Sequence, residues 1–291
     1  VSHIILGDNQ YGKAETHLVH VDRGGDTDRV TDFLVSTSLS GDFAASHLTG
    51  DNSKVVATDT QKNTVFAFAK EAAPGQPEAF ALRLARHFAQ DFDAVSRARV
   101  HIEAVPWTPI DAGGRPDPHA FERWGGDRRL ATVTCTRDQE WVVSGLADLV
   151  VMKTTDSEFY GFPRDRFTTL EDTHDRILAT AVTARWRHAT ADVDWRASFQ
   201  LARSTLLAAF ATHHSLALQQ TLYAMGEAVL EASPEIVEVR LAMQNKHHFI
   251  VDLAPFGLTN DSEVYYASDR PYGLIEGTVT RDDAPEPGLA W

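Results

Sequence analysis

The chain has 291 residues, enough at roughly 100–200 residues per domain for one large domain or two medium ones, and far too many for a disulfide-stapled miniprotein. With 27 basic against 41 acidic side chains the formal charge is −14, a field that repels phosphate backbones and anionic lipid and argues against nucleic acid or membrane as a partner. Apolar residues make up 43% and charged residues 23%, the balance of an ordinary folded domain, which excludes a disordered chain.

In chain order, strands are predicted at 14–22 and 30–39. Phe80, Leu84, Phe88 and Phe92 recur every four residues and would bury one face of a helix. From Arg97 to Val105 the chain alternates strictly, with Ala98, Val100, Ile102 and Ala104 on one side and Arg97, Arg99, His101 and Glu103 on the other, the pattern of a half-buried strand. Further strands are predicted within 129–152 and 176–189. Asp194 is the expected N-cap of a helix marked by Phe199, Leu206 and Phe210, and Leu218, Leu222, Met225 and Val229 mark another. Val237, Val239, Leu241 and Met243 alternate with Glu238, Arg240 and Ala242, and a last strand region covers 263–280. The Gly- and Pro-rich stretches 106–118 and 253–261 are expected to be surface excursions.

Strands, then helices, then strands occur twice over, which points to a duplicated unit, with a first domain at 1–138 and a second at 139–291. Adjacent strands without regular helical crossovers favour antiparallel sheets backed by helices on one face, an α+β class. Open sheet edges invite closure by further copies of the chain.

Several motifs fail on inspection. Gly7 to Lys13 has the spacing of a phosphate-binding P-loop, but Ala14 removes the magnesium-binding hydroxyl and the following THLVHV alternates as a strand instead of opening a helix. The 13 histidines contain no His-Glu-x-x-His pattern, His17 and His20 face opposite sides of a predicted strand, and the pairs His213-His214 and His247-His248 are poorly placed to chelate, so no metal site is expected. Ser144-Gly145 lacks the Gly-x-Ser-x-Gly elbow, and no Gly-x-Gly-x-x-Gly fingerprint occurs. Cys135 is the only cysteine, which excludes an intramolecular disulfide, a four-thiolate zinc site and a Cys-x-x-Cys redox pair. With no bilayer-length apolar run, no secretion signal in VSHIILGDNQ and no peroxisomal tail in GLAW, a cytoplasmic protein is expected.

Four blocks stand out: Tyr11-Gly12-Lys13, GDFAASHLTGDNSKVVATDTQKNTVFAFAK from Gly41 to Lys70, FYGFPRDRFTTLEDTHDRIL from Phe159 to Leu178, and QNKHHFIVDL from Gln244 to Leu253. Their order and spacing cover nearly the whole chain and resemble the urate oxidase (uricase) family. The resemblance implies two tandem tunnelling-fold (T-fold) domains, each an antiparallel sheet backed by helices, with four chains building a barrel-lined tunnel as a homotetramer. It implies oxidation of urate by dioxygen and water to 5-hydroxyisourate and hydrogen peroxide with no metal or organic cofactor. An electron-rich urate anion can itself reduce oxygen, so the protein need supply only orientation, proton transfer and electrostatic preorganisation. An inactive purine-binding protein of the same fold is the alternative; a zinc-dependent pterin enzyme of that fold is disfavoured by the single cysteine.

By the same resemblance, Arg176 grips the polar edge of the purine with a planar guanidinium that lysine cannot reproduce. Gln219 offers a donor and an acceptor to the neighbouring edge, and Phe159 stacks on the flat ring. Leu218 meets substrate through its backbone N–H and departs from the family's usual small aliphatic residue, while Leu170 is an apolar wall. Lys13, Thr58 and His247 form the proton-handling trio; Lys13 acts as base only where desolvation or a neighbouring charge keeps part of its population neutral, and Thr58 is a short hydroxyl relay. Asn245, with Thr58, lines the small polar pocket where oxygen and then water sit, and the Asp59 backbone N–H addresses the five-membered ring. The alternation through Met243 continues onto Asn245 and His247, placing both on the inner side of a strand. Lys13, Thr58 and Asp59 are expected to come from one subunit and the rest mainly from another.

Overall fold

A computed structural model of the chain describes residues 3–123 and 125–291. The elements follow in the order β1 (Tyr11–Asp22), β2 (Arg29–Gly41), α1 (Ala44–Thr49), α2 (Thr58–Glu71), α3 (Pro77–Gln90), β3 (Val95–Ala104), β4 (Trp107–Asp111), β5 (Pro116–Arg123), β6 (Arg128–Cys135), β7 (Glu140–Lys153), β8 (Leu178–His188), α4 (Trp195–Thr212), α5 (Leu218–Ala232), β9 (Ile236–Ile250), β10 (Tyr265–Ser268) and β11 (Leu274–Thr280). Strands, helices and strands thus occur twice, as the sequence pattern predicts. The chain packs as two compact units, one holding the residues up to Gly145 with Arg187–Arg196 and Pro285–Trp291, the other Leu146–Trp186 and Ala197–Ala284.

In the first unit β1, β2, β3 and β6 pair in that order, every pair antiparallel. The alternation of 97–105 is realised in β3, where Ala98, Val100 and Ile102 are fully buried. They pack against the α3 face of Phe80, Leu84 and Phe88. The helix ends two residues before Phe92, whose ring stacks on Phe88 at 6.2 Å from the following turn. Helix α2 has no counterpart in the apolar pattern, because its buried stripe is only Gln61, Val65 and Ala69. A glutamine and an alanine in three buried positions leave too little hydrophobic signal at helical spacing.

The stretch 106–118 is not a plain loop. It enters the hairpin β4–β5, turned by Gly113 and Gly114 at φ of 77° and 87°. Pro109, Pro116 and Pro118 are tolerated there because a two-stranded ribbon is all edge. A buried polar network lies in the same unit. Arg129 pairs with Glu78 at 2.7 Å, Ser144 donates to the other Glu78 oxygen at 2.7 Å, and His188 Nε2 lies 2.9 Å from Ser144 Oγ.

In the second unit β9 takes two partners in succession. Glu238 to Gln244 pair with β11, and His247 to Ile250 pair with β10, both antiparallel. The core joins Leu206 and Phe210 of α4, Leu222, Met225 and Val229 of α5, and Val239, Leu241 and Met243 of β9. At the start of α4, in the Arg187–Arg196 stretch counted with the first unit, Asp194 accepts the Arg196 N–H at 3.1 Å, the expected capping contact.

Candidate functional site

Within the second unit, a cavity of about 290 Å³ is lined by Phe159, Leu170, Arg176, Asn245 and His247, together with Tyr265. Three segments converge on it. Phe159 is held by a reciprocal backbone pair with Thr173, at 2.8 and 2.9 Å, so the FYGF and THDR ends of one long loop close on each other and bring Phe159 to Arg176. Its ring lies 5.0 Å from Phe162 with 13° between planes, a stacked pair that presents a flat apolar surface. Strand β9 supplies Asn245 and His247, and the His247 ring stacks on Phe249 at 5.8 Å, as alternate residues of one strand face allow.

Arg176 is half-buried, with its guanidinium carbon 5.3 Å from the Phe159 ring centre. Its Nε is buried without a hydrogen-bond partner among the described residues. Burial lowers the Arg176 pKa from its usual value, yet a guanidinium stays charged in proteins, so a cation with an unmet donor faces an aromatic wall. His247 is held below the ordinary histidine value, first by burial and then by the charges of Arg176 and His248. A neutral imidazole beside a cation is the form able to accept a proton.

The remaining candidates of the second unit, Leu218 and Gln219, are the first two residues of α5 and do not line this cavity. Leu218 is buried and Gln219 exposed. In the first unit, Thr58 and Asp59 are the first two residues of α2, both exposed. The two helices share a feature: Ala57 and Ala217 precede them, and neither supplies a side-chain cap. First-turn N–H groups have no intrahelical partner, so the amides at Asp59 and Leu218 sit at positive helix ends suited to an anion. The Asp59 carboxyl is held below its usual range, chiefly by hydrogen bonds from Lys62 and Asn63, with the Lys13 charge adding to the effect. Lys13 lies in β1 immediately before a register shift against β2, between Lys13 and Thr16. Such bulges re-aim the side chains around them.

Tyr265 was not among the residues singled out from the sequence. It reaches the cavity because β10 pairs with β9 at Tyr265↔Ile250, a register that no local pattern announces. Among the described residues no group of three or more His, Cys, Asp or Glu is arranged to hold a metal ion, and no helix is long and apolar enough to cross a membrane.

Comparison with known proteins bears on the family and the fold. The uricase from Arthrobacter globiformis is 49% identical over 288 residues, covering 99% of this chain and 94% of that protein. Its crystal structure superposes with a TM-score of 0.93, covering 98% of this chain and 97% of the other. The uricase of Dictyostelium discoideum is 38% identical over 282 residues, covering 95% of this chain and 97% of that protein. A uricase structure from Bacillus fastidious, at 22% identity and a TM-score of 0.79 over 95% of this chain and 94% of the other, shares the fold. The uricase family model matches residues 9–134 and 142–276, one match in each half, in keeping with tandem T-fold domains. The chain belongs to the uricase family.

Proposed function

We propose that the chain is a urate oxidase that converts urate, dioxygen and water to 5-hydroxyisourate and hydrogen peroxide without a metal or organic cofactor. Two electrons pass from urate to dioxygen, and two protons complete the peroxide. The observation that carries this reading is Arg176, a half-buried cation with an unpartnered Nε against the face of Phe159, in a cavity shared with His247 and Asn245. A flat anion stacked on Phe159 would supply the acceptor that Arg176 lacks.

In this reading the halves 1–138 and 139–291 are tandem T-fold domains, and copies of the chain assemble as a homotetramer. Lys13, Thr58 and Asp59 of one subunit meet Phe159, Leu170, Arg176, Leu218, Gln219, Asn245 and His247 of another. Gln219 and Arg176 hold the purine edges, the amides of Asp59 and Leu218 address its polar atoms, and Leu170 walls the pocket. Lys13, Thr58 and His247 move the protons, and Asn245 with Thr58 holds the oxygen and then the water. The site is supported by the two uncapped helix starts and by the division of its residues between the two units. A cytoplasmic location suits a lone cysteine that has no disulfide partner.

The test is to follow urate loss and peroxide appearance with metal-stripped protein in aerated buffer. Equimolar conversion supports the reading. Urate binding without oxygen uptake would mean an inactive purine binder. Activity that is unchanged on dilution into monomers would rule out a site shared between subunits.

A further inference from the structure

The first unit contains a closed ring of hydrogen bonds around the start of α2. The Lys13 N–H donates to Thr37 Oγ1 at 3.3 Å, at the point where Lys13 and Thr37 face each other across the β1–β2 ladder. The Thr37 hydroxyl donates to Gln61 Oε1 at 2.6 Å, and Gln61 Nε2 donates to the Val56 carbonyl at 3.1 Å. The Val56 N–H donates to the Tyr11 phenol oxygen at 2.8 Å, which returns the path to β1 two residues before Lys13. Tyr11 is itself fixed by an edge contact with Phe43 at 4.9 Å.

Gln61 is 0% and Thr37 3% exposed. Neither is open to a substrate. A buried amide with both ends satisfied is costly to rearrange, because a broken link leaves a buried polar group unpaired. Val56 is held through both its N–H and its carbonyl, two residues before Thr58. The ring therefore ties the backbone of Lys13 to the turn that launches Thr58 and Asp59.

We propose that Thr37 and Gln61 are positioning residues that set the approach of Lys13 to Thr58, so that proton transfer through this pair depends on two side chains that touch no substrate. The proposal rests on the relay described under the proposed function. Misplacing a reacting pair by about 1 Å can cost a hundredfold in rate, so a buried tether of this kind acts on kcat before it acts on binding.

The test uses the assembled protein and measures kcat, KM for urate and the melting temperature. Thr37→Val keeps the shape and removes the hydroxyl; it should lower kcat about tenfold with KM little changed, and Thr37→Ser should restore it. In a Lys13→Met background Thr37→Val should cause no further loss, since both act on one relay. Tyr11→Phe opens the ring at its other end and should lower kcat about threefold, which keeps the test available if Thr37→Val does not fold. A lower melting temperature with unchanged kcat in Thr37→Val would assign the ring to packing alone and overturn the proposal. So would an equal loss with and without Lys13. An unchanged kcat in Lys13→Met alone would overturn the relay itself, and the positioning role with it.

Discussion

Arg176 and Phe159 are 17 positions apart in the chain, yet the guanidinium carbon sits 5.3 Å from the ring centre and Nε has no partner among the described residues. In the proposed function the pair is a stacking face joined to an anion grip. Substitution of Arg176 by lysine keeps the charge and loses the planar fork. Losing one charge-assisted hydrogen bond of about 1.5–3 kcal/mol should weaken the binding of urate or an unreactive purine anion about 10- to 100-fold. Competition with a xanthine-like purine measures this, and equal affinity in Arg176→Lys would remove the residue from the grip.

His247 is kept below the usual histidine value by burial, Arg176 and His248. It should stay neutral at pH 7, and its protonation should give an acid limb in kcat/KM below about pH 6.5, the ordinary histidine value. His247→Gln should slow the reaction and remove that limb. A limb that persists unchanged in the variant would assign the titration to another group.

Burial, with the nearby charge of Arg129, pushes His188 down to about 3. In the unfolded chain the same imidazole titrates near about 6.5, so the unfolded state binds more protons between these values. Stability is therefore full above the unfolded value and is lost as pH falls from about 6.5 toward 3. Urea midpoints measured from pH 7.5 to pH 5 should decline, and less steeply in His188→Gln. Ser144→Ala removes a donor to the fully buried Glu78 and should cost about 1–3 kcal/mol at pH 7.5. Parallel pH slopes in wild type and His188→Gln would contradict the assignment.

Gly12 admits no side chain. A Cβ there would lie 1.7 Å from the Thr37 carbonyl oxygen, beside the Lys13–Thr37 pair. Gly12→Ala must push β1 off β2 and should cost about 3 kcal/mol or more, with activity lost beyond what stability explains. Wild-type melting and turnover in this variant would refute the close approach.

Cys135 is fully buried, and burial raises its thiol to about 12. The thiolate is the reactive form, so native protein should resist thiol reagents at pH 8 and react with one equivalent after denaturation. Rapid modification of folded protein would show that the β6 end opens readily.

Side-chain period is a local property, and wherever one face is strongly apolar the sequence alone determined the element. The alternation of 97–105 became β3, and the four-residue spacing of Phe80, Leu84 and Phe88 became the inner face of α3. The order of strands and helices, twice over, was legible for the same reason. Motif blocks marked Phe159, Leu170, Arg176, Asn245 and His247, and these five line one cavity. Helix α2 was not legible, because its buried stripe includes the amide of Gln61, which is satisfied by Thr37 and Val56 from other parts of the chain. The hairpin that begins within 106–118 was hidden by its prolines. Tyr265 enters the cavity through the β9–β10 register, and the ring through Tyr11, Thr37, Val56 and Gln61 exists only once β1, β2 and α2 are packed. Periodicity reports which face of an element is buried. Which distant polar group meets which is decided by the packing of those faces, and only the tertiary structure contains that information.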